Sequence, residues 1–188
     1  MQDPADFLAL ALKKNRKDRG WSLDVTARKT GVSKAMLGQI ERGESSPTTA
    51  ILWKIATGLS VSISSLIEPV PDIEEETLIR TADDLRQLPR TDGTVVAPLY
   101  PFEPRFGFEY MELTFLPGFA RESEAHEPGV IEYITVISGQ IEILADGIWH
   151  MLKSGQSIRF RGDKPHGYRN NSTKNATTLS VIHYPRRP

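Results

Sequence analysis

Gln39 and Arg42 are suited to reading a nucleic acid, and their neighbours put them on one surface. Ser33 is placed to cap a helix over residues 34–42, and Gly43 suits the left-handed position past a helix end. At about 100° per residue, Leu37 and Ile40 fall on one side of that helix with Glu41 close by. Ala35, Gly38, Gln39 and Arg42 fall on the other. Glycine inside a helix costs about 1 kcal/mol relative to alanine. Gly38 is therefore not there for helix stability, and close approach to a rigid partner would account for it. An amide can bond an adenine edge bidentately, and a guanidinium suits phosphate or guanine. The stretch reads as a DNA recognition helix. Gln39, Lys34 and Ala35 would read bases, while Ser33 and Arg42 would grip phosphates.

The elements around it must hold that face outward. Ser22 is a cap for a helix over 23–30, and Gly31-Val32-Ser33 turns the chain into the next helix. A first helix over 6–19 turns Phe7, Leu8, Ala11 and Leu12 inward, and Trp21 closes the small core. A fourth helix over 48–58 faces Leu52, Ile55 and Ala56 inward, and a short fifth spans 62–67. Thr48 and Thr49 start the fourth helix, where they serve as a plain cap, as phosphate ligands, or as both. Two adjacent short helices alone would equally suit a helical bundle.

The flanking run decides between the two. Arg16, Gly20, Ser22-Leu23, Ala27, Gly31-Val32-Ser33, Gln39-Ile40-Glu41-Arg42-Gly43 and Pro47-Thr48 together resemble the five-helix, lambda-repressor-like DNA-binding domain of XRE-type regulators. The resemblance implies an Arg16–Glu41 pair, and the wheel independently turns Glu41 inward. Asn15 and Thr26 depart from the pattern, standing where the family usually has leucine.

A second group with chemistry lies far along the chain. Glu132 shares one face of an expected strand with Ile134 and Val136. A carboxylate on an inward apolar face needs a partner, and His126 and His166 are candidates. The period changes to two after Val95, giving strands over 109–115, 130–137, 140–144, 148–152, 157–160 and 177–184. Asp146-Gly147 marks a tight hairpin between two of them. Many short strands at close spacing mean a jelly roll or barrel.

This half resembles the cupin family. Gly118, His126, Glu132 and Gly139 look like its first motif, and Gly155, Pro165-His166 and Asn170 like its second. The resemblance implies a divalent-metal site with His126, Glu132 and His166 as ligands. Glu124 stands where the family's first histidine would be, and the interval from His126 to Glu132 is longer than usual. Three or four such donors suit Zn, Ni, Fe or Mn, while a hydrogen-bonded polar cluster without metal is the other reading. Tyr168 and His183 either line the mouth of the barrel, a natural small-molecule pocket, or belong to its core.

The chain has 188 residues, enough for two small domains. The expected division is residues 1–68 for the helix-turn-helix domain, 69–93 for an acidic connector and 94–188 for the cupin barrel. The first 68 residues hold ten Lys/Arg against seven Asp/Glu, and the rest thirteen against seventeen. A basic head on an acidic body fits local contact with DNA rather than bulk polyanion binding. With no cysteine, disulfides, thiolate metal sites and thiol switches are excluded. The N-terminus has no basic-then-apolar leader, and no apolar run approaches the roughly 20 residues that span a bilayer. A cytoplasmic protein is expected.

An XRE-type head joined to a cupin is itself the pattern of a family of bacterial one-component transcriptional regulators. SKAMLGQIER, LWKIATGLSV, GVIEY and the ending IHYPR are similar to the branch that governs sulfur utilisation. The resemblance implies a non-enzymatic homodimer, paired through the cupin on a pseudo-palindromic operator, with a small-molecule effector. Two rivals come from other classes: a cupin metalloenzyme (a dioxygenase or isomerase) with an accessory head, and a head that binds protein instead of DNA.

Overall fold

The computed structural model describes residues 4–69, 77–86 and 93–185. Much of the expected acidic connector, including Ile73-Glu74-Glu75-Glu76, lies outside the described residues. The head contains α1 (Pro4–Asp18), α2 (Leu23–Thr30), α3 (Lys34–Glu41), α4 (Thr49–Leu59) and α5 (Ser64–Ile67). A sixth, single-turn helix, α6 (Ala82–Leu85), sits in the connector rather than in the head. Side chains cap three starts: Ser22 Oγ accepts from Val25 N at 3.2 Å, Ser33 Oγ from Met36 N at 3.2 Å, and Thr48 Oγ1 from Ile51 N at 3.3 Å. Gly31 takes φ +67° between α2 and α3, a turn that other residues enter only under strain.

Leu12, Leu37, Ile40, Leu52, Ile55 and Leu59 are fully buried and form the core of the head. Arg16 donates to both carboxylate oxygens of Glu41, at 2.6 and 2.8 Å, tying α1 to the end of α3. Asn15 and Thr26 bond locally, to Ala11 O and Ser22 O respectively, each at 3.0 Å. The two departures from the family pattern are thus satisfied within their own helices. α4 runs to Leu59 and ends at Ser60 in the left-handed conformation, so Gly58 is no terminator. A Cβ on Gly58 would lie 2.5 Å from Thr30 Cα, and its role is to let α4 cross α2 backbone to backbone.

The described residues after the connector form nine strands: β1 (Thr94–Glu103), β2 (Phe108–Phe115), β3 (Ala120–Ser123), β4 (Ile131–Ser138), β5 (Gln140–Ala145), β6 (Ile148–Lys153), β7 (Ser157–Arg161), β8 (His166–Arg169) and β9 (Ala176–His183). They pair antiparallel in two sheets, ordered β1-β2-β9-β4-β7 and β3-β8-β5-β6. Asp146 and Gly147 both take positive φ, as a two-residue turn between β5 and β6 requires. Strands β1, β3 and β8 are additions to the six read from the sequence.

Head and barrel are joined by specific bonds. Ser64, at the start of α5, donates its N–H to Glu109 Oε2 of β2 at 3.0 Å. Its hydroxyl accepts the N–H of Phe102 of β1 at 2.8 Å. Tyr184 donates to the other Glu109 oxygen. Burial pushes the Glu109 carboxyl above the usual range, a shift that these hydrogen bonds only partly oppose. Past the head, Arg86 at the end of α6 pairs with Glu112 of β2 and Tyr100 of β1 donates to Leu78 O, so residues 78 and 86 of the connector lie against the barrel.

Candidate functional site

The reading face of α3 is open where the sequence expects it, with one exception. Ser33, Lys34, Ala35, Gln39 and Arg42 are exposed. Gly38 is buried, against the expectation that it belongs to the outer face: a Cβ there would lie 3.2 Å from Arg42 Nη1 and 3.8 Å from Leu23 Cδ1. The wheel misses this because α2 crosses that side of α3. Lys34 pairs with Asp24 at 2.8 Å, and Arg42 pairs bidentately with Glu44 at 2.8 and 2.7 Å. The Arg42 guanidinium holds the Glu44 carboxyl below its ordinary range. Exposed pairs of this kind are weak in water, so a phosphate can displace the carboxylate. Thr48 caps α4 at its accessible start, whereas Thr49 is buried and its hydroxyl cannot reach a phosphate. That corrects the pairing of the two threonines.

In the barrel, β4 carries Glu132, β8 carries His166 and Tyr168, and the loop after β3 carries His126. Donor atoms of His126, Glu132 and His166 lie within 4.8 Å of one another. Glu132 Oε1 is 3.1 Å from His126 Nε2 and 3.3 Å from His166 Nε2, but neither nitrogen is aligned to hydrogen-bond it. Tyr168 donates to Glu132 Oε2 at 2.5 Å. Burial pushes the Glu132 carboxyl up, and the two imidazoles with the Tyr168 hydroxyl outweigh it, leaving the group below its ordinary value and ionised. His166 Nδ1 faces Lys164 O at 2.9 Å. A carbonyl only accepts, so a proton sits on Nδ1, and in the neutral ring Nε2 carries a lone pair 3.3 Å from Glu132 Oε1 but out of line with it. Burial lowers the pKa of His166 and favours that neutral form.

Two imidazole nitrogens beside a buried carboxylate oxygen that has no hydrogen bond fit a cation between them. The spacing agrees, since donors about 2.1 Å from a first-row ion are roughly 3.0–3.4 Å apart. His126, Glu132 and His166 are thus a set able to hold a divalent metal. Glu124 is not part of that set: its side chain is exposed, and it lines the cavity above instead. His183 is exposed at the end of β9, on the outward face of an alternating strand, and does not line the mouth. Tyr168 is buried, stacked on Phe115, and forms the wall.

A cavity of about 540 Å³ opens above the cluster, and its roof comes from the head. Trp53 of α4 lies 5.9 Å from the His126 ring. The Arg121 guanidinium of β3 lies 5.3 Å from the centre of the Trp53 ring and 5.8 Å from that of Tyr168. Lys29, Lys54, Trp53 and Arg121 are pocket residues that sequence reasoning missed. The one signal was Trp53, a large aromatic off the inward stripe of its helix. A larger cleft of about 870 Å³ also opens between head and barrel and shares Thr57 and His126, but His166, Tyr168 and Arg121 do not line it.

Residues 12–66 match the helix-turn-helix family and residues 111–182 the cupin domain family. The chain is 45% identical over 99% of its length, and 99% of the relative's, to the HTH-type transcriptional regulator SutR of Escherichia coli (strain K12). It belongs to the helix-turn-helix transcriptional regulators with a cupin domain. Another regulator of that organism, PuuR, is 24% identical over 86% of both chains. A crystal structure of an HTH_3 family transcriptional regulator from Vibrio cholerae is 43% identical and superposes with a TM-score of 0.80, covering 97% of this chain and 98% of that one. Agreement of that degree over nearly the whole length requires head and barrel to superpose together.

Proposed function

We propose that this chain is a cytoplasmic one-component regulator that binds a pseudo-palindromic operator as a homodimer and is controlled by a small molecule in its barrel. Residues 1–68 supply the DNA contacts, 69–93 connect, and 94–188 sense and dimerise. A two-fold pair of cupins would hold two recognition helices about 34 Å apart, one turn of B-DNA. Gln39, Lys34 and Ala35 read bases, and Ser33, Arg42 and Thr48 hold phosphates. The observation that carries this reading is α3 itself: capped by Ser33, anchored through Leu37, Ile40 and the Arg16–Glu41 pair, and open along Gln39 and Arg42.

A divalent ion on His126, Glu132 and His166 would act as a Lewis-acid anchor for an effector oxygen or nitrogen. The barrel senses rather than catalyses, a reading supported by relatives that are regulators. The His–Glu–His cluster keeps the metalloenzyme as the second reading. Genomic-fragment selection with the purified chain tests the proposal, with and without chelator. A pseudo-palindromic consensus near sulfur genes is expected, and loss of the consensus with chelator would make the metal part of the sensor. No enrichment would remove the regulator and leave the enzyme.

A further inference from the structure

Both cations of the α3 reading face are held by carboxylates that lie outside α3. Arg42 pairs bidentately with Glu44 of the following loop, and Lys34 pairs with Asp24 of α2. We infer that Glu44, and to a smaller degree Asp24, are specificity-determining residues: they keep these cations off DNA until a matching sequence draws them away. This inference rests on α3 being the surface that meets DNA, and it names the residues that set how far an operator is preferred over other sequence.

The Arg42 pair is built into the end of α3. Glu44 donates its N–H to Gln39 O at 2.9 Å, and Gly43 closes the helix at φ +70°. That closure leaves the Glu44 carboxylate beside Arg42, where it accepts from Nε and Nη2 at 2.8 and 2.7 Å. Those two donors form one edge of the guanidinium, an edge suited to gripping a phosphate. The remaining nitrogen, Nη1, lies over Gly38, 3.2 Å from where a Cβ would stand. The missing side chain at 38 gives the guanidinium room to lie back along the helix. Lys34 is held by one bond to Asp24 Oδ2 at 2.8 Å, so its restraint is the lighter one. A second pair in the head shows the contrast. Arg16 and Glu41 make the same bidentate contact with side chains 14% and 8% exposed, and they join α1 to α3. Arg42 and Glu44 are 58% and 53% exposed, and they tie α3 only to the loop that follows it. Such a pair adds little to stability. Its consequence is for the charge that DNA meets.

Sequence-independent binding to DNA comes almost wholly from cations that displace counterions from phosphates. A cation occupied by a carboxylate adds no net charge to that count. Bases are read by other contacts, here through Gln39. Pairing therefore subtracts from binding to any sequence and leaves the base-dependent part intact. On a matching site the head sits close enough for a phosphate to take both donors of Arg42 from Glu44, and an exposed pair is weak enough to yield. A genome offers about 10⁶ or more competing sites. Residues that lower only the sequence-independent part thus improve selection of the operator.

The test follows the full-length protein by fluorescence anisotropy on two duplexes, the genomic fragment it selects best and the same bases scrambled, from about 50 to about 200 mM salt. Glu44→Gln should bind the scrambled duplex about tenfold more tightly at the low end, with a salt slope steeper by about one for each head engaged. Its gain on the selected fragment should be about threefold or less, so that preference for the fragment falls. Asp24→Asn should move both quantities the same way by less. Asp146→Asn, which removes the carboxylate of an exposed pair on the barrel, should change neither. Equal gains of Glu44→Gln on the two duplexes, no gain, or an unchanged salt slope would overturn the inference. So would an equal gain from Asp146→Asn, which would reduce the effect to net charge. A native chain that binds neither duplex would overturn the reading of α3 and this inference with it, whereas equal gains on both would overturn this inference alone.

Discussion

The two binding surfaces of this molecule are built in opposite ways. The reading face of α3 is exposed, comes from ten consecutive residues and carries charges screened by water. The barrel cluster is buried and brings together residues 126, 132 and 166 from three separate segments. On the exposed face, Arg42 and Glu44 satisfy each other weakly and can exchange partners. In the buried cluster, Glu132 Oε1 has two imidazole nitrogens within 3.3 Å and no hydrogen bond, so a cation between them would be held strongly. The difference teaches that a surface built for a large polyanion keeps its groups mobile and wet, whereas one built for a small ligand is held fixed. α4 belongs to both, with Thr48 at one end and Trp53 over the cavity.

Breaking the shared helix should have the largest effect. Gly58→Ala puts a Cβ 2.5 Å from Thr30 Cα and 2.6 Å from Lys29 O, both backbone atoms that cannot step aside. A loss of about 3 kcal/mol in urea unfolding is expected. A loss below about 1 kcal/mol would mean that α2 and α4 are not locked. In the barrel, Glu132→Gln keeps an acceptor for Tyr168 but removes the charge. Zn²⁺ binding measured by calorimetry after chelator treatment should weaken by about a hundredfold, and unchanged affinity would return the cluster to a plain polar network.

Smaller effects sharpen the contrast. Burial raises the Glu109 pKa, so its contribution is fully present below the ordinary carboxylate range and is lost as pH rises through the raised value. Glu109→Gln keeps an acceptor for Ser64 N–H and never ionises. Its melting temperature relative to the native chain should therefore climb from acid to neutral pH. A difference that is flat with pH would show that Glu109 titrates normally. Gly38→Ala meets only the flexible end of Arg42 at 3.2 Å, and alanine favours the helix by about 1 kcal/mol. Its stability should stay within about 1 kcal/mol of the native chain.

The sequence made the exposed surface legible because it is local. Caps at Ser22 and Ser33, the turn at Gly31 and the inward Leu37 and Ile40 all follow from neighbours a few residues apart. The Arg16–Glu41 pair was reachable through the family pattern and the wheel together. Gly38 was misplaced because its burial depends on Leu23 of another helix. In the barrel, alternation identified six strands and turned Glu132 inward, but it missed the ten-residue β1, which opens on five consecutive buried residues and shows no period of two there. Strands β3 and β8 are four residues each, too short to show a period, so Arg121 went unseen and His183 was sent to a site it does not reach, while Glu124 lines the cavity but stands outside the His126, Glu132 and His166 set. No local pattern could put Trp53 over that site, because the contact exists only once head and barrel are docked.

The measurement that bears most directly on the central claim is genomic-fragment selection run in parallel with the native chain and with Gln39→Ala. The native chain should enrich a pseudo-palindromic consensus. The variant should bind it more weakly, by roughly 1–3 kcal/mol, with preference relaxed at one base position in each half-site. An identical consensus from both proteins would contradict the assignment of the α3 face as the surface that reads DNA.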